Sequence, residues 1–469
     1  MIKSLIAIVC CVGIIILFWL IPSPEGLDVK AWRLLGVFLA TIAGLILRPF
    51  PMGVVALTAL VFCILSALID EKKALIGFSN PVLWLTIVAF FLSHGFTETS
   101  LGRRLALIFI RLFGRSSLGL SYGMALSDLL MAPAIPSVTA RSAGVIFPIL
   151  TSISTRFRSF PHSFSSHKLG GFLTVTAFQI SVVTSAMFMT SMSANPLIAS
   201  LLGSQGVPIS WLQWAKAAIV PGLISIALIP LLIYKLYPPA IKKTPGAIAL
   251  AKSELNLMGK LRYAEKVVLG TILVVILLWV FGGIIGVNTL TAAFIGLLAL
   301  LITKVISWRK ILSDESAWHI YIWFGVLLTL VNELNHLALF SWFNDISSNY
   351  LQGFDYRIGF PLLILLYFYS HYFFASCTVH ISVMFVPFFT LSQVMATPPM
   401  LAALSLMFAS NLYGGLTHYS LTPAPLLFGA GYVRLGTWWT VGFVVSLLNL
   451  LIWGGIGFLW WQIAGFKLY

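Results

Sequence analysis

The sequence predicts an all-α polytopic membrane protein, with about 11 transmembrane helices plus two re-entrant hairpins, arranged as an inverted-topology repeat with broken helices. Three observations predict this fold. The chain is too hydrophobic for a water-soluble domain. Its basic residues gather on one side of the predicted spans. Two polar motifs of its first half recur in the second half.

The composition requires lipid as the solvent. Of the 469 residues, 59% are hydrophobic and only 9% are charged, whereas soluble domains carry about 25% charged residues. So few charges cannot cover a water-facing surface, and backbone in lipid must satisfy its own hydrogen bonds, which favours helices. The apolar runs are long and do not alternate as the strands of a membrane barrel do.

The apolar segments set the order of the spans. The first run ends at Ile21 and is followed by Pro22 instead of a small-residue cleavage site, so we expect an uncleaved first helix. The later candidate spans are 34–48, 52–70, 81–112, 118–150, 171–203, 215–236, 267–286, 289–306, 318–343, 358–393, 398–430 and 436–463.

Four of these segments do not fit single continuous helices. Segments 118–150 and 358–393 are too long for one span and carry a polar cluster near the middle, which predicts re-entrant hairpins. Segments 171–203 and 398–430 are interrupted by glycine, proline and polar residues, which predicts broken helices. In lipid, non-helical backbone survives only where it is buried in protein or lines a cavity.

The charge distribution orients the chain. The net charge of +15 comes from 28 Lys and Arg against 13 Asp and Glu. A cytoplasmic N-terminus with two non-crossing hairpins places most basic residues inside, as the positive-inside rule requires, so we expect no nucleic-acid partner. Only Lys30, Arg33, Lys72, Lys73, Lys216, Arg357 and Lys467 then fall outside.

The two halves share motifs in the same order. At an offset of 239 and then of 227 positions, Ser137, Thr139, Arg141, Thr190, Ser193 and Pro196 meet Ser376, Thr378, His380, Thr417, Ser420 and Pro423. We expect an N-terminal helix and loop at 1–33, repeats at 34–236 and 267–469, and a basic cytoplasmic connection at 237–266. Five crossings in each half would invert the second repeat and put the binding site at the midplane.

Hydroxyl, amide and cationic side chains converge on the interrupted segments. Hydroxyls and helix N-termini donate to carboxylates, and intramembrane ionisable residues are costly unless they function. Packing roles for Ser and Thr, and snorkelling of Arg141, are the alternatives. The expected substrate-binding residues are Ser137, Thr139, Arg141, Asn195, Ser376, Thr378, His380, Thr417 and His418. We expect no catalytic residue, metal or cofactor, because the four cysteines show no ligand spacing.

These motifs resemble the divalent anion/sodium symporter family, and most closely its 2-oxoglutarate/malate translocator branch. The matching stretches are Ser137–Arg141 with Gly144 and Pro148, Thr184–Met187 with Ala194–Pro196, Phe374–His380, and Gly414–Ser420 with Gly429–Tyr432. The resemblance implies 11 transmembrane helices with two hairpins, a scaffold domain, a moving transport domain and a homodimer. It also implies exchange of dicarboxylates such as 2-oxoglutarate, malate and succinate.

One departure from the family bears on ion coupling. Sodium-coupled members carry Ser-Asn-Thr at each hairpin tip, and here Val138 and Cys377 stand in place of the two Asn residues. We therefore expect sodium-independent antiport by alternating access, with Arg141 and His380 as fixed cations in place of sodium. The alternatives are a sodium- or proton-coupled di/tricarboxylate symporter, a channel, or a membrane-embedded enzyme, although no hydrolase, zinc-protease or P-loop motif is present. The expected location is a bacterial inner membrane.

Overall fold

The computed structural model describes residues 2–351 and 355–468, and within these ranges every extended regular element is helical. This confirms the all-α class. Eight helical stretches of the described chain are long and apolar enough to cross a membrane, by length and composition. The number of crossings stays a prediction.

The first half of the chain forms thirteen α-helices in its described residues. They are α1 (Ile2–Leu20), α2 (Val29–Leu47), α3 (Met52–Leu65), α4 (Glu71–Ala74), α5 (Pro81–Thr99), α6 (Leu101–Phe113), α7 (Ser117–Met131), α8 (Val138–Arg141), α9 (Phe147–Arg156), α10 (Gly170–Met187), α11 (Asn195–Ser204), α12 (Trp211–Leu236) and α13 (Pro245–Met258). A π-helical turn, Ser142–Ile146, joins α8 to α9.

The second half continues with eleven α-helices, again within the residues that the structure describes. They are α14 (Tyr263–Ile285), α15 (Thr289–Ile302), α16 (Trp308–Leu312), α17 (Glu315–His336), α18 (Leu339–Leu351), α19 (Tyr356–Tyr369), α20 (Cys377–Val394), α21 (Pro399–Leu412), α22 (Ala424–Gly429), α23 (Leu435–Leu451) and α24 (Phe458–Ile463). Short 3-10 turns cover Ile76–Ser79, Phe164–Lys168, Ser370–Phe373 and Tyr413–Gly415, and a π-helical turn covers Ile452–Gly457.

Both segments expected to be hairpins consist of two helical arms around a short non-helical tip. In the first, α7 is followed by the tip 132–137 and then by α8 and α9. In the second, α19 and a 3-10 turn are followed by the tip 374–376 and then by α20. Side chains on the two arms meet in each case, because Asp128 contacts Arg141 and Ser370 contacts His380.

The helix α10 forms the centre of the molecule. All 18 of its residues are buried, and it packs against α7, α12 and α21. It is followed by a non-helical stretch, 188–194, before α11 begins. The other broken segment has the same plan, with α21, a non-helical stretch at 416–423 and α22. The two breaks therefore lie in the interior, where non-helical backbone is tolerated in a membrane protein.

Two parts of the chain are more structured than the sequence patterns predict. The span 81–112 is divided at Ser100, whose φ of 61° ends α5 and starts α6 in a new direction. The connection 237–266 contains α13, which packs against α6. Arg104 of α6 donates to the Glu265 carboxylate at 2.7 Å and to the carbonyl of Gly259 at 2.8 Å, so it holds the end of this connection in place.

Candidate functional site

The break after α10 is stabilised by side chains that replace the lost helical hydrogen bonds. The Asn195 amide donates to the carbonyl oxygens of Ser185 at 2.8 Å and of Phe188 at 2.9 Å. Asn195 is fully buried at the start of α11. Its amide thus pairs with carbonyl groups at the C-terminal end of α10 that have lost their helical partners, since an unpaired buried carbonyl is costly.

The break after α21 is closed in a similar way. The Ser420 hydroxyl donates to the Gly414 carbonyl at 2.5 Å and accepts from the Thr417 backbone N–H at 3.3 Å. From the other broken helix, the Gln179 amide donates to the Gly415 carbonyl at 2.9 Å. Thr417 and Ser420 therefore shape the 416–423 stretch, and Gln179 links the middle of α10 to the turn that precedes this stretch.

The tip of the first hairpin is held by a buried ion pair. Arg141 is 0% exposed, and its Nε lies 3.2 Å from Asp128 Oδ1, while the Thr184 hydroxyl donates to the other carboxylate oxygen. Arg141 Nη1 donates to the carbonyls of Ile135 at 2.5 Å and Ser191 at 2.6 Å. Its Nη2 has no hydrogen-bond partner among the described residues. The sequence patterns do not place Asp128 in the site, yet Asp128 neutralises Arg141.

A cavity of about 540 Å³ lies at the tip of the second hairpin. Its wall is formed by that tip, by residues of the non-helical stretches 188–194 and 416–423, and by the C-terminal end of α2. The polar residues of the wall are Arg48, Ser193, Ser376, Thr378, Tyr419, Ser420 and Thr422. No carboxylate lines the cavity in the part of the chain that the structure describes.

The wall of this cavity favours an anion. Arg48 follows α2, is exposed, and makes no salt bridge among the described residues. The helix α20 begins in the wall with Cys377, and α11 begins directly after the wall residue Ala194, so the positive ends of two helix dipoles lie beside the cavity. Their first backbone N–H groups have no partner within the helix. The combination is that of an anion site.

Ser137 and Ser376 each precede the helix that follows a hairpin tip, but their hydroxyls differ in the hydrogen bonds that they make. The Ser137 hydroxyl accepts from the backbone N–H of Ala140 at 3.1 Å and so caps its own helix. Ser376 has the same position before α20, but its side chain makes no capping hydrogen bond. The hydroxyls of Ser376 and Thr378 are therefore available to a molecule in the cavity.

The structure brings only part of the predicted set to this cavity. Ser376 and Thr378 line it. Ser137, Thr139 and Arg141 belong to the other hairpin tip and do not line the cavity. That tip contacts the 188–194 stretch at Thr190, whose hydroxyl donates to the Pro133 carbonyl at 2.6 Å. The stretch 188–194 thus lies between the two tips.

The remaining predicted residues surround the cavity without lining it. Asn195 and Thr417 hold the two breaks through the hydrogen bonds given above. The His418 ring accepts from the Trp439 indole N–H at 3.2 Å and packs on Phe428, outside the cavity wall. His380 lies behind the second tip, fully buried.

Sequence reasoning did not identify His371, which contacts His380. The Nδ1 atoms of the two rings are 3.3 Å apart, and His380 Nε2 is 3.0 Å from the Ser370 hydroxyl. The two histidines are nine positions apart in the sequence, a spacing with no recognised binding pattern. No group of three or more His, Cys, Asp or Glu in the described residues is placed to hold a metal ion.

Comparison with known families decides the identity. The family described as the sodium:sulfate symporter transmembrane region matches residues 2–466. The chain belongs to this family. It is the divalent anion/sodium symporter family that the hairpin motifs resemble, so that prediction is confirmed. Membership also makes the chain a multi-pass membrane protein.

Three relatives illustrate how far the similarity extends along the chain. Dicarboxylate transporter 1, chloroplastic, of Spinacia oleracea is 46% identical over 467 residues, 99% of this chain and 82% of that protein. YflS of Bacillus subtilis, named provisionally as a malate transporter, is 46% identical over 463 residues, 98% of this chain and 97% of that protein. YbhI of Escherichia coli, named an inner membrane protein, is 35% identical over 470 residues, 98% of each.

A solved structure supports the fold. The crystal structure of the Alcanivorax borkumensis YdaH transporter superposes with a TM-score of 0.55 and 12% identity, covering 87% of this chain and 89% of that chain. Similarity at this identity concerns the fold alone. The family and the named transporters among the relatives agree with the prediction of a transporter instead of an enzyme.

Proposed function

We propose that this protein is a secondary active transporter that exchanges small dicarboxylates, such as 2-oxoglutarate, malate and succinate, by alternating access. The names of the Spinacia and Bacillus relatives support the substrate class. The expected location is a bacterial inner membrane, with a cytoplasmic N-terminus and a homodimeric assembly. YbhI, the relative named an inner membrane protein, supports the location.

The cavity at the second hairpin tip is the observation that carries this proposal. Free hydroxyls on Ser376 and Thr378, two helix N-termini and the Arg48 guanidinium face it, with no carboxylate in its described wall. A dianion in a poorly solvated site needs such donors and positive charge nearby. One carboxylate would take the hydroxyls of the second tip, and the other would face Arg48. Ser137 and Thr139 of the first tip lie beyond the 188–194 stretch and would meet the substrate only if that stretch moved during transport.

Sodium has no evident place in this mechanism. Val138 and Cys377 replace the asparagines of the sodium-coupled tips, and a hard cation prefers carboxylate and carbonyl oxygens as ligands. The idea that Arg141 is an uncompensated fixed cation needs revision, because Asp128 neutralises it. In the revised mechanism the first tip carries no net charge, and the positive field in the cavity comes from Arg48 and the helix ends.

Counterflow in proteoliposomes tests the function. We expect labelled 2-oxoglutarate to enter vesicles that contain malate, equally with and without sodium, and not to enter vesicles without internal dicarboxylate. Thr58→Val on α3, whose hydroxyl only bonds the Val54 carbonyl, serves as the unaffected control. Uptake into vesicles without internal substrate, driven by a sodium gradient, would refute the exchange mechanism. No dicarboxylate flux at all would refute the function.

The orientation is tested with thiol reagents. Phe160 is 44% exposed in the loop after the first hairpin. In a cysteine-depleted background, Phe160→Cys should be labelled only from the cytoplasmic side. Labelling of this position from outside intact cells would contradict the cytoplasmic N-terminus and the inverted second repeat.

A further inference from the structure

Two buried histidines lie directly behind the wall of the cavity. His371 precedes the second hairpin tip and His380 follows it, and both side chains are 0% exposed. Cys377 lines the cavity, and its Sγ lies 3.8 Å from His371 Nε2. Only one layer of side chains therefore separates the histidine pair from the cavity.

The contacts of the pair need one more hydrogen than the neutral groups hold. Four contacts form a chain: Ser370 Oγ to the Tyr367 carbonyl at 2.8 Å, Ser370 Oγ to His380 Nε2 at 3.0 Å, His380 Nδ1 to His371 Nδ1 at 3.3 Å, and His371 Nε2 to the Ser420 carbonyl at 3.4 Å. Each contact requires one hydrogen between its two heavy atoms. One hydroxyl and two neutral imidazoles supply three hydrogens in total. The Cys377 thiol donates to the same Ser420 carbonyl at 3.2 Å, so its hydrogen is used outside these four contacts.

A single added proton completes this chain. With it, His380 Nε2 donates to Ser370, His371 Nε2 donates to Ser420, and the remaining ring hydrogen is shared between the two Nδ1 atoms. A second added proton would place two N–H groups against each other at 3.3 Å. The geometry therefore fits a pair that binds one proton and not two.

The surroundings of the pair provide no negative charge. Tyr367 and Phe374 stack on the His380 ring with centroids 4.8 and 4.5 Å away. Tyr413 stacks on His371 at 4.0 Å and lies tilted against His380 at 4.6 Å. The titratable groups facing the rings are Tyr367, Tyr413 and Cys377, and no carboxylate bonds to either ring within the described residues. A cation buried among neutral groups is costly unless an anion lies close by.

We propose that the His371–His380 pair binds one proton together with the dicarboxylate, so that the transporter carries a proton with each substrate molecule. The inference rests on the proposed function, because it takes the cavity as the substrate site. When the cavity is empty, the pair is neutral and one of its contacts lacks a hydrogen. A dianion in the cavity supplies the missing negative charge, and the pair takes up a proton.

Proton uptake on binding determines how the substrate affinity depends on pH. Because the bound state holds one more proton than the empty state, affinity falls as pH rises, by up to about tenfold for each pH unit. In an exchange cycle, the proton that enters with one substrate leaves with it on the other side.

Calorimetry on the full-length protein measures this uptake directly. We would titrate 2-oxoglutarate in two buffers of different ionisation enthalpy, at a pH where both of its carboxylates are ionised. The wild type should take up close to one proton for each molecule bound. His371→Gln and His380→Gln keep hydrogen-bonding groups but do not titrate, so they should bind with no proton uptake. The control His319→Gln, on α17, should behave as the wild type.

Each outcome of this experiment is informative. Wild-type binding without proton uptake overturns the proton site and leaves the proposed function standing. Uptake that persists in both His371→Gln and His380→Gln also overturns it, because another group then takes the proton. If neither variant folds, the wild-type titration in the two buffers still decides. Failure of every dicarboxylate to bind the wild type overturns the proposed function itself.

Discussion

The two hairpins occupy equivalent positions in the repeat, but their tips differ in charge. In the first, Arg141 is paired with the Asp128 carboxylate. In the second, 239 positions later, His380 stands in place of Arg141 and Tyr367 in place of Asp128, and the two rings stack 4.8 Å apart. One tip thus holds a permanent ion pair, and the other holds neutral, titratable rings.

The tips also differ in their free hydrogen-bonding groups. Ser137 caps the helix of the first tip, whereas the Ser376 hydroxyl of the second tip makes no capping bond and lines a cavity with Thr378. The two matching hairpin motifs are therefore used in two ways. The first tip is hydrogen-bonded to the neighbouring break. In the proposed mechanism, the second tip presents its donors to the substrate.

Breaking the ion pair should give the largest effect. Arg141→Ala leaves the buried Asp128 carboxylate with the Thr184 hydroxyl but without its cation, which costs on the order of 3–5 kcal/mol. We expect a strongly lowered unfolding temperature in detergent and almost no counterflow. Replacing both partners, Arg141→Met with Asp128→Leu, should recover much of the stability. Arg111→Ala, in the exposed last turn of α6, is the control. An Arg141→Ala protein of normal stability that has lost only affinity would restore Arg141 as a substrate-binding cation.

Variants that lack single hydroxyl groups should distinguish the roles of the two tips. Thr378→Val keeps the volume and removes a donor to a carboxylate, at a cost of about 1.5–3 kcal/mol, or roughly ten- to hundredfold in affinity. Ser137→Ala removes a helix cap, so we expect a loss of about 1 kcal/mol of stability with little change in affinity. Binding of 2-oxoglutarate and thermal unfolding measure the two effects. Equal affinity losses in Thr378→Val and Thr139→Val would mean that both tips contact the substrate.

The smallest effect is expected at Arg48. Because its side chain is exposed, Arg48→Gln should weaken dicarboxylate binding by roughly 1 kcal/mol or less, and the difference from wild type should shrink at high salt. Arg309→Gln, in the exposed part of α16, tests for a general surface-charge effect. Wild-type affinity of Arg48→Gln at low ionic strength would remove Arg48 from the site.

The sequence was sufficient to predict those parts of the site that depend on residues close together along the chain. The two breaks are predicted by helix-interrupting residues in Ser191–Pro196 and Gly414–Pro425. The two hairpin tips are predicted by the Ser-x-Thr pairs. These signals lie within a few residues of the feature they create. They are the reason that the family was predicted correctly, whereas the helical class followed from the apolar composition.

The partners of those residues depend on tertiary packing and could not be predicted. Asp128 lies 13 residues from Arg141 and meets it only because the hairpin folds back. Arg48 looks like an ordinary loop charge, and it reaches the cavity because α2 ends beside the second tip. His371 becomes significant only through its contact with His380. Polar side chains in an apolar chain reveal that a site exists, but not which of them face it.

Substrate protection of an introduced thiol tests most directly whether the second tip is the binding surface. In a protein with Cys10, Cys11 and Cys63 changed to Ser and Cys377 changed to Ala, Ala375→Cys places a thiol on the exposed part of the cavity wall. We predict that 2-oxoglutarate slows its reaction with a small thiol reagent. The same compound should leave Thr97→Cys, in a separate cleft beside the first hairpin, unchanged. Equal reaction rates at position 375 with and without saturating dicarboxylate, in a protein that still exchanges it, would contradict the assignment of the substrate to the second tip.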